Sequence, residues 1–547
     1  MSVLSGLADP TARTWAAAER AFRLVVPETY NIAADCLNAD PDHRALVAVD
    51  GDHASTLTFG QLDDLARRLA TLLAARGVEP GDRVAIKLPQ SAEMAIAILG
   101  TLHLGAVAVP VSNVLGEDAI LHRLSDSGAT VLVCAPGDRA EALADSTGTT
   151  IVHTGPADDR WGEGGLAGTE PLPSHVDTGR DDPALLLYTS GTTGKSKGVL
   201  HGHRVLLGHH AIDLAWDHAR PDDVAYSPVD WAWAGGLLLG LLVPLARGMT
   251  VVAYRDSRFD PARTLAIMKA HGVSVGLFPP TALRLLRRSG LLTEVSASEL
   301  RLRSVITGAE AVEPELSTWA RDELGLSVNN AFGQTEANAL IGHAHVLGDL
   351  EPTCLGRAYP GHTVAVLDPD QRPVPAGVVG EIAVRADDPV CMLRYWNAPE
   401  ATAAKVRRGW LLTGDSAHAD TAGNLYFHGR ADDIIKSGGY RLGPAEIEAA
   451  MLVNPAVEEC AVIGLPDPER GQVVTAFVTL APGAHAGPEL TARLQACVRA
   501  RVGAHAYPRT VHYLSGLAKT STGKIDRRAL RGAVPIAAGH TDEESAS

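Results

Sequence analysis

Along the chain, short continuous apolar runs alternate with longer stretches in which apolar residues recur every three or four positions. The run RVAIKL at 83–88 has the length of a strand, the stretch SAEMAIAILGTLHLG after it has helical spacing, and AVAVPV is a second strand. The same unit returns as PARTLAIMKAHG, a predicted helix, and as VSVGLFPP, LRLRSVITGAE and LSVNNAFGQTE, three predicted strands. This succession predicts an α/β fold of mostly parallel sheets covered by helices, with ligands collecting at the strand ends.

The pattern changes twice, and both changes indicate boundaries. Residues 154–183 are rich in Pro, Gly and Asp and predict an irregular connection. After HGRADDIIKSGGYRLGP the order becomes helix, strand, strand, helix, which is typical of a small α+β domain. We therefore predict a large N-terminal domain over 1–430, a small C-terminal domain over 431–536 and a disordered acidic tail over 537–547.

Composition agrees with a globular chain of at least two domains, because 547 residues exceed what one core supports. The net charge of −16 gives no electrostatic reason to expect nucleic acid or an anionic membrane as a partner. Six cysteines without a Cys-x-x-Cys pair suggest neither a zinc site nor a disulfide framework, and no secretory signal is evident, so a cytoplasmic location is expected. The longest apolar run, Trp231–Ala246, is too short for a membrane span and predicts buried structure.

The segment YTSGTTGKSKG begins at Tyr188 and combines glycines, hydroxyls and two lysines. The apolar run ALLLY before it predicts a strand, and VLHGHRVLLGHHAIDLAW after it has helix-like spacing, so we expect a loop between a strand and a helix. Free amides, hydroxyls and lysines in such a loop can hold a phosphate. The spacing fits neither the Walker pattern nor a nucleophile elbow, and a solvated Gly/Ser loop is the plain alternative.

Five stretches in one order carry a resemblance: the loop above, TGAE with NNAFGQTE, LLTGDSA, GRADDIIKSGGYRLGPAEIE and LAKTSTGKIDRR. With them the chain resembles the adenylate-forming superfamily of AMP-forming acyl-CoA synthetases, adenylation domains and luciferases. It is most similar to the acetyl- and medium-chain acyl-CoA synthetase branch, from Tyr30 to Leu530. The resemblance implies a small mobile C-terminal domain and an enzyme that uses ATP, CoA and Mg²⁺ on a small carboxylic acid.

The resemblance assigns roles to the first two stretches. Lys197 and Thr335 become candidate catalytic residues, and Glu336 a catalytic Mg²⁺ ligand. ATP-binding residues are expected in the loop and in the two adenine-site stretches: Thr189, Ser190, Gly191, Thr192, Thr193, Gly194, Lys195, Gly308, Ala309, Glu310, Asn330, Ala331 and Phe332. Phe332 offers a flat face for a purine and Glu336 a hard oxygen ligand. A core aromatic and a helix-start carboxylate are the alternatives for these two residues.

The last three stretches extend the assignment. Asp415 resembles the carboxylate that accepts the ribose hydroxyls, and Lys524 the adenylation lysine, although Ala518 stands where the family usually has Pro. Arg430 is expected near the ribose, Asp432 at the hinge, Arg441 on phosphate, and the CoA thiol arm beside Gly438 and Gly439. The alternatives are a simple turn at Asp415 and a charged linker around Asp432. Arg527 and Arg528 are expected on a solvated face.

Four histidines, His201, His203, His209 and His210, lie close together in sequence. A metal tract is one interpretation of such spacing. Because no carboxylate or Cys pair accompanies them at zinc-like spacing, we expect structural histidines instead.

The implied reaction is acyl-adenylate formation with release of pyrophosphate, followed by transfer of the acyl group to CoA by domain alternation. Gly333 stands where acetyl-CoA synthetases of the family have Trp, which predicts a deeper acyl pocket for a medium-chain or aromatic monocarboxylic acid. The expected pocket residues are Trp231, Trp233, Gly236, Phe278, Gly333 and Ala337. Loading of a separate carrier protein and a luciferase-like oxygenase remain as alternatives, Gly333 could instead serve the backbone, and a homodimer is possible.

Overall fold

The computed structural model describes residues 11–155, 165–189, 196–254, 259–294, 299–308, 312, 314–351, 353–430, 433, 435–437, 440–467, 471–502, 506–519 and 525–533. The chain divides into two compact units, with the main division between Tyr426 and Phe427, and Gly414–Ser416 belongs to the second unit. The boundary between 430 and 431 stays a prediction, and the tail over 537–547 lies outside the described residues.

The strands are β1 (Arg44–Asp50), β2 (His53–Thr58), β3 (Arg83–Lys87), β4 (Val107–Pro110), β5 (Val131–Cys134), β6 (Thr150–His153), β7 (Pro183–Thr189), β8 (Lys197–Gly202), β9 (Val224–Tyr226), β10 (Thr250–Ala253), β11 (Val275–Leu277), β12 (Ser304–Gly308), β13 (Ser327–Gln334), β14 (Ala337–Gly342), β15 (Arg357–Ala358), β16 (Val364–Leu367), β17 (Gly380–Arg385), β18 (Arg394–Tyr395), β19 (Val406–Arg407), β20 (Trp410–Ala419), β21 (Leu425–Arg430), β22 (Ile435–Ser437), β23 (Tyr440–Leu442), β24 (Val457–Asp467), β25 (Gly471–Leu480) and β26 (Thr510–Tyr513).

The α-helices are α1 (Trp15–Ala21), α2 (Ile32–Cys36), α3 (Phe59–Ala75), α4 (Ala92–His103), α5 (Glu117–Ser127), α6 (Ala140–Thr147), α7 (Ala234–Leu237), α8 (Val243–Ala246), α9 (Pro261–His271), α10 (Pro280–Ser289), α11 (Leu291–Glu294), α12 (Pro314–Leu324), α13 (Pro399–Lys405), α14 (Pro444–Leu452), α15 (Pro488–Arg501) and α16 (Arg527–Ala533). Shorter 3₁₀ segments are His203–Val205, Leu207–Trp216 and His345–Leu347, and Leu238–Leu242 is a π-helical turn between α7 and α8.

Two large sheets carry the first unit. The first has nine strands in the order β15-β14-β13-β12-β11-β9-β10-β1-β2, and the second has seven in the order β18-β8-β7-β4-β3-β5-β6. The strands from β13 to β1 in the first sheet and from β7 to β6 in the second run parallel, whereas the outer strands pair antiparallel. Parallel strands joined by helices bury both faces of a sheet, and β4, β5 and β10 are accordingly buried along their whole length.

Alternating side chains of these strands enter different layers. In β3, Val84 and Ile86 join the cluster shared by both sheets, while Ala85 faces the cluster formed with α5 and α6. In the first sheet, Leu277 faces the shared cluster, and the far side is packed by α9, α10 and α12. Helices therefore lie between the two sheets and on both outer faces, as the alternating strand and helix patterns predict.

Two smaller sheets complete the chain. One has the order β16-β17-β20-β19, with β21 also paired to β20. The other, in the second unit, has the order β23-β22-β25-β24, with β26 parallel to β25. Helices α14 and α15 pack on this last sheet around Ile447, Val462 and Leu494, which agrees with the predicted small α+β arrangement.

Most predicted elements are present at or near their predicted positions, and one is wrong. The prediction of a helix directly after the glycine-rich loop fails, because Lys197–Gly202 is strand β8, paired with β7 and β18, and only 3₁₀ segments follow. Strand β8, KGVLHG, is buried from Gly198 to Gly202, and its few apolar residues continue into the downstream stretch whose spacing is helix-like, so periodicity did not separate the strand from a helix. Of the run Trp231–Ala246, all residues except Trp233 and Gly235 are buried, as predicted. No helix among the described residues is long and apolar enough to cross a bilayer.

Candidate active site

The glycine-rich segment connects two antiparallel strands. Thr189 is the last residue of β7, Lys197 is the first of β8, and the two are directly paired across the hairpin. The predicted phosphate-binding residues Ser190, Gly191, Thr192, Thr193, Gly194 and Lys195 lie outside the described residues. Because β8 follows the loop, the expected anion site at a helix N-terminus is not formed here, and positive charge must come from side chains such as Lys197.

Thr335 and Glu336 form the tight turn between β13 and β14, where Gln334 pairs with Ala337. Two backbone contacts fix this turn. The His201 ring, on β8, donates from Nε2 to the Thr335 carbonyl at 2.8 Å, and the Met392 amide donates to the Glu336 carbonyl at 2.9 Å. Burial lowers the pKa of His201 to about 4, so this histidine is neutral at physiological pH.

Tyr395 on β18 joins the two predicted catalytic segments. Its hydroxyl donates to Glu336 Oε1 at 2.6 Å, and Lys197 Nζ lies 5.4 Å from the centroid of its ring. The sequence interpretation missed Tyr395, because a tyrosine in a two-residue strand gives no signal of its own. The nearest signal was its place within LRYWN, next to the start of α13.

A second contact group missed by sequence reasoning lies beside this turn. Lys405 Nζ, at the end of α13, donates to Gln334 Oε1 at 2.7 Å and to the Thr413 carbonyl at 3.0 Å. Gln334 Nε2 donates to the same carbonyl at 2.9 Å. These three hydrogen bonds join Gln334, at the end of β13, to Lys405 and to Thr413 on β20. They thereby hold the turn that carries Glu336 next to β20.

The predicted adenine-site stretches are neighbours in the first sheet. Gly308 pairs with Ala331, and a Cβ at Gly308 would lie 2.2 Å from the Ala331 carbonyl oxygen, so only glycine fits. Asn330 lies beside these two, and the half-buried ring of Phe332 packs against the cluster around Ile341. Ala309 and Glu310 lie outside the described residues.

Asp415 and Arg430, the two residues predicted near the ribose, meet in the structure. Asp415 is 5% exposed, and Arg430 Nη1 lies 3.4 Å and 3.3 Å from its two carboxylate oxygens. Gly414 has a φ of +79°, and a Cβ there would lie 2.9 Å from Arg430 Nη2. Glycine therefore serves both the left-handed backbone and the approach of the guanidinium.

The six predicted acyl-pocket residues are not brought together in one cluster. Trp231 is fully buried among residues between the two large sheets, Phe278 faces the helices on the far side of the first sheet, and Ala337 belongs to the cluster around β14 and β17. Trp233 is half-buried at the start of α7, and a Cβ at Gly236 would lie 2.2 Å from the Asp230 carbonyl oxygen.

Gly333 is surrounded by backbone. A Cβ there would lie 2.3 Å from the Ala339 amide nitrogen and 2.9 Å from the Ala337 carbonyl oxygen. The alternative that Gly333 serves a tight backbone therefore explains the residue without an acyl ligand, and its role in the pocket stays a prediction.

Of the residues predicted in the second unit, Lys524, Asp432, Gly438 and Gly439 lie outside the described residues, and only the backbone of Arg441 is described, in β23. The expectation of a solvated face at Arg527 is wrong. The Arg527 side chain is 24% exposed, and its guanidinium pairs with Glu448 at 2.6 Å and with Asp433 at 3.9 Å. The sequence around Arg527 could not predict these ion pairs, because Glu448 and Asp433 are distant from it along the chain.

The four clustered histidines are all buried, and burial lowers the pKa of each. His203 accepts from the Ile32 amide, His209 contacts the Val205 carbonyl, and His210 stacks on Phe22. These contacts suit structural histidines. Within the described part of the chain, one group of potential metal ligands has its atoms within 4.8 Å of one another: Cys134, Glu141 and His153.

Comparison with known proteins identifies the family. Residues 34–396 match the model of the AMP-binding enzyme family, and residues 446–524 match the AMP-binding enzyme C-terminal domain. The chain therefore belongs to the AMP-binding enzyme family. The predictions of an adenylate-forming chain, of its acetyl- and medium-chain acyl-CoA synthetase branch, of an acid–thiol ligase and of its fold class are confirmed.

The individual relatives cover nearly the whole chain. Acetyl-coenzyme A synthetase of Bacillus subtilis (strain 168) is 30% identical over 89% of this chain and 86% of its own length. The mitochondrial acyl-coenzyme A synthetase ACSM4 of Rattus norvegicus is 32% identical over 92% and 91%. Among solved structures, the benzoate CoA ligase of Burkholderia xenovorans LB400 is 26% identical, with a TM-score of 0.81 over 92% of this chain and 100% of its own.

Proposed function

We propose that this chain is an AMP-forming carboxylic acid:CoA ligase acting on medium-chain or aromatic monocarboxylic acids. The observation that carries the proposal is the meeting of Lys197 with the Thr335–Glu336 turn around Tyr395. Lys197 and Glu336 come from two motifs far apart in sequence, and both contact Tyr395, so a cation, the tyrosine hydroxyl and a carboxylate lie close together. Such a set suits the transfer of a phosphoryl-linked group.

In the first step the acid's carboxylate oxygen attacks the α-phosphorus of ATP, the bond to the bridging oxygen breaks, and pyrophosphate leaves. An anion approaches an anion in this step, so positive charge and hydrogen-bond donors must meet it. Lys197 and the Thr335 hydroxyl supply part of this from the first unit, and Lys524 is proposed to supply a further positive charge. Asp415 and Arg430 are proposed to hold the ribose.

The residues at Glu336 fit a magnesium ion. Tyr395 occupies one carboxylate oxygen, and no described residue hydrogen-bonds the other, which leaves a hard oxygen ligand of the type that Mg²⁺ prefers. Bound there, Mg²⁺ would neutralise phosphate charge. The chain's own part is to hold the Glu336 carboxylate in one orientation through the β13–β14 turn, Lys405 and Tyr395.

In the second step the CoA thiol attacks the acyl carbonyl, and AMP leaves with the electrons of the broken bond. Gly438 and Gly439 are proposed to line the thiol arm, Arg441 to contact phosphate, and Asp432 to act as the pivot between the domains 1–430 and 431–536. A cytoplasmic location is also proposed, supported by six free cysteines, which are typical of a reducing compartment.

The proposed acid range is argued from the residues around the start of α7. Trp231 and Trp233 directly precede α7, which contains Gly235. A Cβ added at Gly235 would meet only Leu277 Cδ2, at 3.7 Å, so there is open space beside this glycine. This apolar surrounding suits an alkyl or aryl group. A benzoate CoA ligase among the similar structures is compatible with an aromatic acid.

The test is pyrophosphate release from ATP with and without CoA, over acetate, hexanoate, octanoate, benzoate and malonate. We expect release with hexanoate, octanoate or benzoate, and an acyl-CoA product when CoA is present, while Glu336→Gln should release little. Product only with an added carrier protein, or light with oxygen, would favour the carrier-loading or oxygenase alternative. Absence of pyrophosphate with every acid would contradict the proposal.

A further inference from the structure

Tyr395 contacts both Lys197 and Glu336. Its hydroxyl donates to Glu336 Oε1 at 2.6 Å, and its ring lies 5.4 Å below Lys197 Nζ. The residue as a whole is only 7% exposed. Its position is fixed by the backbone, because Tyr395 pairs with Val199 on β8 and its amide donates to Thr402 Oγ1 at 3.0 Å.

We propose that Tyr395 is a positioning residue that holds the Glu336 carboxylate and the Lys197 ammonium apart and each in a fixed direction. The inference rests on the proposed function, since it concerns the site where Glu336 would bind Mg²⁺ and Lys197 the ATP phosphates. Neither motif that suggested these two residues contains Tyr395.

The hydroxyl acts on Glu336. A donor bonded to an ionised carboxylate makes a short, strong hydrogen bond, and 2.6 Å is typical of such a bond. With Oε1 held, the carboxylate cannot rotate freely, and its second oxygen stays directed away from Tyr395. The orientation is therefore set before a metal and nucleotide bind, and the ordering cost at binding falls.

The ring acts on Lys197. An ammonium over an aromatic face is attracted by the ring quadrupole. Lys197 lies over this ring, and no described carboxylate, Glu336 included, forms an ion pair with it. A direct pair would neutralise both groups and lower their attraction for Mg²⁺ and phosphate.

Two substitutions separate these effects. Tyr395→Phe keeps the ring and the packing and removes only the hydroxyl, whereas Tyr395→Leu also removes the aromatic face. The matched control is Tyr359→Phe, because the buried Tyr359 hydroxyl donates to the His343 carbonyl at 3.0 Å and contacts neither Lys197 nor Glu336. All variants are first compared with wild type by thermal unfolding.

The first measurement is Mn²⁺ affinity in the presence of a non-hydrolysable ATP analogue, by titration without turnover. We expect Tyr395→Phe to bind Mn²⁺ about tenfold or more weakly, with nucleotide affinity in the absence of metal unchanged. Tyr395→Leu should in addition weaken the metal-free nucleotide. Tyr359→Phe should bind both as wild type does. Unchanged Mn²⁺ affinity in a folded Tyr395→Phe variant would overturn the inference.

A double-substitution cycle with Glu336→Gln tests whether Tyr395 acts through Glu336. If it does, adding Tyr395→Phe to Glu336→Gln weakens Mn²⁺ binding much less than it does in the wild-type background. Fully additive losses would contradict the inference. Because binding is measured without chemistry, a chain that releases no pyrophosphate refutes the proposed function while these binding results still decide the role of Tyr395.

Discussion

Gly333 lies where the backbone of β13 approaches that of β14, and a Cβ on it would lie 2.3 Å from the Ala339 amide nitrogen. We expect Gly333→Ala to lower the free energy of unfolding by about 1–3 kcal/mol, because backbone must move to admit the methyl group. The loss of kcat/KM should be similar for acetate, hexanoate and benzoate.

The control for this substitution is Gly116→Ala, at an exposed position with a φ of −73° where the added methyl would meet no atom within 4 Å. Unfolding in urea and kcat/KM for the three acids give the comparison. A selective change in acid preference with unchanged stability would instead put Gly333 in the acyl pocket.

His203 is fully buried, and burial lowers its pKa to about 4 from an ordinary value near 6.5. Between these two values the unfolded chain binds a proton that the native chain does not, so this histidine makes stability fall as the pH drops from about 6.5 towards 4. At pH 5 the effect is about 2 kcal/mol relative to pH 7.

We therefore expect His203→Gln to have a smaller loss of unfolding free energy between pH 7 and pH 5 than wild type, although it is less stable at pH 7. The exposed His53 provides the control, and His53→Gln should keep the wild-type difference. An equal pH dependence for His203→Gln and wild type would show that His203 is protonated in the native chain.

At the scale of elements, α16 is joined to α14 and β24 by charge. Glu448 Oε1 accepts from both the Val462 amide and Arg527, and Asp433 pairs with Arg527 and Arg531. We expect Arg527→Met to lower the free energy of unfolding of the second unit by about 2 kcal/mol, because two partly buried carboxylates each lose one of their two partners.

The control is Arg531→Met, which removes a more exposed pair, 41% exposed on the arginine side, and should cost at most about 1 kcal/mol. Urea unfolding followed by circular dichroism compares the two. Equal and small losses would mean that Arg527 is effectively solvated, as its sequence position had suggested.

At the scale of elements, β8 also positions two residues of the candidate site, Lys197 and His201. Its first residue, Lys197, faces the Tyr395 ring, and His201 four residues later holds the turn that carries Glu336. Pairing with β7 and β18 on its two sides puts both residues next to segments distant in sequence.

At the scale of the whole molecule, the proposed reaction needs Lys524 in only one of its two steps. We expect Lys524→Ala to lower the rate of adenylation about a hundredfold or more, since a charge contact of the transition state is lost. Thioester formation from supplied acyl-adenylate should stay close to wild type. The two half-reactions are measured separately, as pyrophosphate release and as acyl-CoA formation.

Lys519→Ala is the control, because Lys519 pairs with the exposed Glu459 on the surface of the same unit. It should leave both half-reactions unchanged. Equal losses of both half-reactions in Lys524→Ala would refute the assignment of separate arrangements to the two steps.

Local patterns determined much of this protein. Apolar runs and helical spacing predicted β3, α4, β4 and the small C-terminal arrangement, because strand and helix periods are properties of neighbouring residues. The five motifs likewise identified the family, since each is a short stretch whose residue types are set by one local task. The pairing of Asp415 with Arg430 agrees with their shared assignment to the ribose.

Tertiary structure alone decided the rest, because these features depend on residues that meet only after folding. β8 is a strand because β7 and β18 pair with it, and its six residues, KGVLHG, are too few and too mixed to show a period of their own. Tyr395 reaches Glu336 across 59 positions of sequence, and Arg527 reaches Glu448 across 79. Periodicity and motifs describe only neighbouring residues, so they could not predict the contacts of Tyr395 with Glu336 or of Arg527 with Glu448.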